Sequence, residues 1–296
     1  GEEDLPRIWG RRVVSLFIGG GTPSLCSPEA MDRLLSGLRA RLSINADAEI
    51  TLEANPGTAE QEKFREYRAL GINRLSIGVQ SFHDDALQKL GRIHGRDEGI
   101  RAAEMAPAAG FENFNLDLMF GLPKQSLTEA LEYIHTAIAL EPTHLSHYQL
   151  TLEPNTLFHH NPPVLPKDEL LWAMQEQCHE QLAETGYGNY EVSAFAKANR
   201  QCQHNLNYWR FGDYLGIGAG AHGKISNAQF QTITRRSKLR QPEAYLQQAS
   251  SPERIKTEQK LTQKETGFEI KVNAMRLTDG FSPHLFAGDT GLPVAT

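Results

Sequence analysis

A run of glycines follows the first apolar segment of the chain. The residues Gly-Gly-Gly-Thr-Pro-Ser occupy positions 19–24, directly after the strand-like segment 13–18. Because glycine has no Cβ, the backbone of such a run can approach a ligand closely. The run has neither the G-x-G-x-x-G dinucleotide fingerprint nor the G-K-S/T of a phosphate loop. The glycines therefore predict a ligand site of another kind at the end of this strand, with a simple tight turn as the alternative.

Polar side chains recur where the following predicted strands end. Glu53 lies in EANPG, Gln80 in GVQSF and Asp117 in NLDLMFGLP. Arg92, in LGRIHG, could clamp a carboxylate with its planar guanidinium. Parallel α/β folds place their ligand sites at the carboxyl ends of the strands, so these side chains are expected to converge on a polyhydroxylated, zwitterionic ligand. Taken singly, each could equally be a capped turn or a surface charge.

The elements that would position these residues are visible as a regular alternation. From residue 13 to about residue 185, short aliphatic or β-branched segments alternate with segments of helical period, which is typical of an α/β fold with a parallel sheet. The predicted strands are Val13 to Ile18, Glu49 to Glu53, Arg74 to Val79, Asn113 to Met119 and His144 to Leu150. A helix from Asp168 to Thr185 would bury Cys178 in the core. The pattern does not distinguish a partial or full barrel from an open doubly wound sheet.

Several motifs resemble, in order along the chain, those of one known family. They are FIGGGTPS, EANPG, RLSIGVQSF, LGRIHG, NLDLMFGLP and YQLTLEPNT. The chain is similar to the radical-SAM family that contains oxygen-independent coproporphyrinogen III dehydrogenase and the HemW heme chaperones. The resemblance implies a partial (βα)6 TIM-type barrel whose first strand would precede residue 1. It also implies a barrel domain with a heme-motif loop at residues 1–223, and the start of a smaller, truncated C-terminal domain at residues 224–296.

The same resemblance implies S-adenosyl-L-methionine (AdoMet) as a cofactor. Contacts to AdoMet are then expected from Gly20, Gly21 and Thr22, with the pocket completed by Glu53, Gln80, Arg92 and Asp117. By its chemistry, Arg92 suits the methionine carboxylate and Glu53 suits the ammonium group. Gln80 and Asp117 suit the ribose hydroxyls. No catalytic residue is assigned.

Members of this family also hold a four-iron, four-sulfur cluster through a C-x-x-x-C-x-x-C loop. The present sequence does not contain this loop, which the resemblance places before residue 1. The three cysteines, Cys26, Cys178 and Cys202, are too far apart in sequence to form a two-ligand metal loop. We therefore expect the intact protein to carry the cluster, and this chain to keep the AdoMet pocket without full cofactor binding and without radical chemistry.

A second informative segment is the hexapeptide HNLNYW, which begins at His204. It resembles the H-N-x-x-Y-W motif of the heme-chaperone branch, where the histidine is implicated in heme binding. A neutral imidazole is a good axial ligand for iron, and nearby aromatic rings can cover a porphyrin face. His204 is thus the predicted heme ligand, with Cys202 as the alternative ligand. A hydrogen-bonded histidine in a packed loop is the structural alternative to both.

Two functions follow from the resemblance. The first is a heme chaperone, which binds heme and delivers it to target proteins rather than turning over a substrate. The alternative is the enzyme, oxygen-independent coproporphyrinogen III dehydrogenase, which decarboxylates propionate side chains by radical chemistry. The HNLNYW hexapeptide favours the chaperone.

Composition restricts the partners. Lys and Arg number 30 against 36 Asp and Glu, so the chain lacks the basic footprint that nucleic-acid binding requires. Three cysteines argue against a disulfide scaffold and for a reducing cytoplasm. The expected partners are heme and heme-accepting proteins. Membrane-associated recipients and a homodimer remain open.

Overall fold

The structure is a computed structural model that describes residues 2–152, 154, 157–227 and 229–280. These residues form two compact units. The larger unit comprises residues 14–40 and 45–202, and the smaller one comprises the described residues of 1–13, 41–44 and 203–296. No described helix is long and apolar enough to cross a membrane.

The larger unit is organised around a curled, half-barrel sheet of seven strands in the order β1-β2-β3-β4-β5-β7-β6. The strands are β1 (Arg12–Ile18), β2 (Ser43–Ala54), β3 (Arg74–Gln80), β4 (Phe114–Phe120), β5 (His144–Gln149), β6 (Gly188–Glu191) and β7 (Ala194–Ala196). Strands β2 to β5 pair in parallel, whereas β7 pairs antiparallel with both β5 and β6. The α/β half-barrel predicted from the motifs is confirmed.

Alternation along the strands explains the two faces of this sheet. In β4, Phe114, Leu116 and Leu118 are buried in the hydrophobic core, while Asn115 and Asp117 point to the other face. There Asn115 contacts polar side chains of β3 and β5. One face of the sheet therefore packs against helices, and the other carries polar side chains.

The helices of this unit cover the apolar face. They are α1 (Pro28–Arg39), α2 (Thr58–Glu62), α3 (Phe64–Ala69), α4 (Asp84–Lys89), α5 (Arg96–Ala108), α6 (Leu127–Ala139), α7 (Leu157–His160) and α8 (Asp168–Glu184). Sequence signals set several of their ends. Ser27 caps α1 by accepting from the Ala30 amide at 3.2 Å, and Ser126 and Glu129 form a reciprocal capping box at α6. Cys178 is fully buried on α8, as predicted.

The smaller unit contains a three-stranded antiparallel sheet that the sequence pattern did not predict. Its strands are β8 (His222–Asn227), β9 (Thr232–Lys238) and β10 (Ile255–Lys260), in the order β10-β9-β8. Helices α9 (Gln203–Trp209), α10 (Pro242–Gln247) and α11 (Gln263–Ala274) belong to the same unit. Short 3-10 helices lie at Glu2–Arg7, Pro23–Leu25 and Pro252–Arg254, the second of them in the larger unit.

Two expectations differ from this architecture. The HNLNYW segment was expected to be a loop, but it forms helix α9. Residues 203–223 group with the C-terminal part of the chain, whereas the sequence-based boundary lies at residue 224. Compact units defined by contacts need not coincide with domains, so the domain boundaries remain a prediction.

Candidate functional site

The glycine run directly follows strand β1 and contacts the end of strand β2. Gly20 and Gly21 adopt φ values of 84° and 63°, which L-residues with a side chain rarely adopt. At position 19 glycine is required for a steric reason, because a Cβ there would lie 2.8 Å from the Glu53 carboxyl carbon. The glycines therefore allow a turn that packs its backbone directly against Glu53.

Glu53 joins the turn to the sheet. Its Oε2 accepts a hydrogen bond from the Gly20 amide at 2.9 Å, and two residues further along the chain Asn55 donates to Thr22 Oγ1 at 3.3 Å. Burial raises the pKa of Glu53, and the nearby negative charge of Asp117 raises it further, against the effect of the Gly20 hydrogen bond. The two carboxyl groups thus share one polar region at the carboxyl ends of the strands.

Asp117 is held by polar neighbours on its own strand and on the next. Its Oδ1 accepts from Asn115 Nδ2 at 2.8 Å, and its Oδ2 accepts from Ser76 Oγ at 3.5 Å. Burial raises the pKa of Asp117, although these hydrogen bonds and the charge of Arg74 act in the opposite direction. A fixed, partly desolvated carboxyl group of this kind is a good acceptor for hydroxyl groups of a ligand.

Gln80 ends strand β3 and is buried, with a backbone φ of 68°. Its side-chain Oε1 accepts a hydrogen bond from the hydroxyl of Tyr148 at 2.6 Å. Tyr148 lies at the end of strand β5 and was not predicted as a site residue. The signal was present, because Tyr148 is one more polar side chain at a strand end, within the motif YQLTLEPNT.

Arg92 is exposed in the loop between α4 and α5. Its positive charge lowers the pKa of Tyr148, although burial raises that pKa by more. The charge of Arg92 thus acts on the same tyrosine that donates to Gln80. We use the name strand-end site for the predicted residues Gly20, Gly21, Thr22, Glu53, Gln80, Arg92 and Asp117.

His204, the residue predicted to bind heme, lies on helix α9 in the smaller unit. It is half-buried, and its ring meets the edge of Tyr208 with centroids 4.8 Å apart. Tyr208 in turn packs against Tyr214 at 4.4 Å, and the Arg276 guanidinium lies 4.3 Å from the Trp209 ring. The histidine is thus part of an aromatic cluster, as its motif indicated.

Cys202, the alternative ligand, has a different environment. Its side chain is buried, and its Sγ donates to Glu49 Oε1 at 3.5 Å. Its backbone amide donates to the hydroxyl of Tyr190 at 3.1 Å. Among the described residues, no three His, Cys, Asp or Glu side chains are grouped to hold a metal ion. No iron-sulfur cluster is therefore assigned to the described residues.

Comparisons with known proteins place this geometry in a family. The profile of the Radical SAM superfamily matches residues 3–137. A protein of Escherichia coli named heme chaperone HemW is 52% identical over 291 residues, which cover 98% of this chain and 76% of that protein. The protein of the same name from Haemophilus influenzae is 50% identical, with 96% of this chain and 73% of that protein covered. The chain belongs to the HemW family of radical-SAM proteins.

A solved structure agrees with the fold of this HemW family member. Coproporphyrinogen III oxidase (HemN) from Escherichia coli, a radical-SAM enzyme, matches with a TM-score of 0.81 over 98% of this chain and 69% of that one. At 23% sequence identity, this likeness concerns the fold alone. The superfamily implies AdoMet and a four-iron, four-sulfur cluster. The strand-end site fits AdoMet in its chemistry, since it offers two carboxyl groups, an amide, a guanidinium and a glycine turn.

Proposed function

We propose that this protein is a heme chaperone, which binds heme and delivers it to other proteins. The observation that carries the proposal is the 52% identity to the Escherichia coli heme chaperone over 98% of the chain. Heme and heme-accepting proteins are the proposed partners, and the cytoplasm is the proposed location. Radical turnover of a substrate is not part of this function.

His204 is the proposed ligand of the heme iron. The half-buried imidazole next to Tyr208 supports this assignment, because an axial ligand must reach the iron while aromatic rings cover the porphyrin. Cys202 is less suited, since its thiol is buried against the Glu49 side chain.

A heme titration of variants, followed by the Soret band, tests this assignment. The His204→Ala variant should shift the Soret band and weaken heme binding by at least about tenfold. A tenfold loss is the lower end of the range for removing a residue that only hydrogen-bonds to a metal ligand, and a direct ligand should matter at least as much. The Cys202→Ala variant should match the unaltered chain. His135→Ala, which removes an exposed histidine on α6, is the control for unspecific heme binding. An unchanged spectrum and affinity for His204→Ala would contradict the assignment.

The strand-end site is the proposed AdoMet pocket. Gly20, Gly21 and Thr22 would line the ligand with backbone, and Arg92 and Glu53 would bind its carboxylate and ammonium groups. Gln80 and Asp117 would bind the ribose hydroxyls. When bound to a cluster, AdoMet supplies radical chemistry to this superfamily. The residues of this chain bind and orient the cofactor.

The competing function is that of the dehydrogenase. Transfer of heme from the loaded protein to an apo heme protein, measured as the acceptor's Soret spectrum, is the expected result for a chaperone. Formation of protoporphyrinogen from coproporphyrinogen by the intact protein under reducing, anaerobic conditions would instead identify an enzyme.

A further inference from the structure

Gln80 has an unusual backbone conformation for a residue with a long side chain. Its φ is 68°, and the amide of Ser81 donates to the carbonyl of Val79 at 2.9 Å across it. A positive φ with this hydrogen bond is the mark of a γ-turn, a rare and strained conformation. The pairing of β3 with β4 is also irregular between Ile77 and Gln80. Such strain persists only where the surroundings hold the residue in place.

Two side chains hold this turn. The Nε2 of His94 lies 3.0 Å from the Val79 carbonyl, and burial lowers the pKa of this histidine, so the neutral ring donates to the carbonyl. Tyr148 donates to Gln80 Oε1 at 2.6 Å. Burial raises the pKa of Tyr148, so its hydroxyl keeps the proton that it donates. The backbone and the side chain of Gln80 are thus fixed by different partners.

The hydrogen bond from Tyr148 also determines which end of the Gln80 amide is available. With Oε1 engaged, the amide presents Nε2, which is a donor only. This Nε2 lies over Gly78, where a Cβ would come within 3.2 Å of it. Glycine at position 78 thus leaves room for the amide in this orientation.

We infer that Tyr148 is a positioning residue for AdoMet binding: it fixes the Gln80 amide so that its N–H group faces an acceptor oxygen of the ligand. The inference rests on the proposed AdoMet pocket. It assigns Gln80 a donor role toward the ligand and gives Tyr148 no direct contact with it. Tyr148 would act through Gln80 alone.

A double-mutant cycle tests this dependence, with AdoMet affinity measured by isothermal titration calorimetry. Tyr148→Phe should weaken binding by about fivefold, within the range expected for one hydrogen bond. Gln80→Gly removes the amide while tolerating the positive φ, and it should weaken binding by at least as much. The double variant should bind like Gln80→Gly alone, because Tyr148 then has nothing to position.

Tyr187→Phe is the matched control. Like Tyr148→Phe, it removes one tyrosine hydroxyl that donates a hydrogen bond, but the acceptor here is the backbone carbonyl of Pro142 at 2.7 Å, and neither residue belongs to the strand-end site. It should lower the melting temperature as Tyr148→Phe does and leave AdoMet affinity unchanged. If Tyr148→Phe does not fold, Gly78→Ala is the second variant, since its methyl group would displace the amide and cause a similar loss.

The outcomes separate the inference from the proposed pocket. Unchanged affinity in Tyr148→Phe, or an equal loss from Tyr148→Phe in the Gln80→Gly background, would overturn the positioning role. Unchanged affinity in Gly78→Ala would do the same. These titrations use the intact protein with its cluster reconstituted, and absence of AdoMet binding by the unaltered intact protein would overturn the pocket assignment itself, and the inference with it.

Discussion

At the scale of residues, the strand-end site shows what sequence can and cannot predict. Glu53 and Asp117 could be predicted, because a polar side chain at the end of a buried strand is conspicuous. Tyr148 also lies at a strand end, but its contact was not predictable, because the hydrogen bond to Gln80 joins residues that are 68 positions apart in the chain. Motifs give residue types, whereas contacts between strands give roles.

Two glycines of the larger unit should respond oppositely to alanine. At Gly19, the added methyl group would lie 2.8 Å from the Glu53 carboxyl and 2.7 Å from the Phe17 ring. Gly19→Ala should therefore displace Glu53 and weaken AdoMet binding severalfold. Gly37 lies within helix α1, and a Cβ there meets no atom within 4 Å. Gly37→Ala should leave binding unchanged and raise the free energy of unfolding by up to about 1 kcal/mol.

Calorimetric titration and urea denaturation of the two variants provide the measurements. Equal AdoMet affinity in both would mean that Glu53 either tolerates the shift or does not contact the ligand. A stabilised Gly19→Ala would contradict the close packing of the glycine turn against Glu53.

At the scale of elements, strand β5 and helix α8 bury a histidine between them. His147 stacks on Phe120 at 4.6 Å, and its ring centroid lies 6.0 Å from that of His179 on α8. The structure gives its Nδ1 no hydrogen-bond partner. Burial lowers the pKa of His147 to about 3, and the neighbouring charge of His179 contributes in the same direction.

This burial predicts a loss of stability in acid. Above pH 6.5 the ring is neutral in both the folded and the unfolded chain, so it does not affect the pH dependence. Below that pH the unfolded chain binds a proton that the folded chain refuses, and the free energy of unfolding falls by about 1.4 kcal/mol per pH unit until pH 3. His147→Phe keeps the stacking and removes the titration. Between pH 6.5 and pH 5, the free energy of unfolding of this variant should fall by about 2 kcal/mol less than that of the unaltered chain.

Urea denaturation of both proteins at these two pH values measures the difference. Other buried histidines, including His144, also resist protonation and leave some acid sensitivity in the variant. Parallel losses in the two proteins would show that His147 can be protonated without unfolding.

The elements that were not predicted from the sequence were missed for a common reason. Helix α9 contains Asn205 and Asn207, which are poor helix formers, and it has no apolar stripe. Asn207 instead donates to the Asp213 carbonyl at 2.9 Å. Strand β9 is similarly polar, and its Arg235 pairs with Glu269 of α11 at 2.5 Å. Tertiary polar contacts hold these elements, and periodicity does not report such contacts.

At the scale of the whole molecule, the parallel sheet was predictable and the smaller unit was not. The strands of the half-barrel are buried on at least one face, so their residues are constrained to recognisable runs. In the smaller unit, Phe211, Ile233 and Ile270 form a small buried apolar cluster. The motifs shared with the family therefore lie in the larger unit, whereas the prediction made for the smaller unit rests on the single hexapeptide HNLNYW.

The division into two units leads to a last prediction. The strand-end site lies in the larger unit, and His204 lies in the smaller one. If each ligand contacts only its own set of residues, AdoMet affinity should be the same in His204→Ala as in the unaltered chain. Heme affinity should likewise be the same in Glu53→Gln. Separate titrations of both ligands to both variants would measure this. A change of AdoMet affinity in His204→Ala, or of heme affinity in Glu53→Gln, would contradict this independence of the two sets of residues, and titrating each ligand in the presence of the other would then measure the coupling between them.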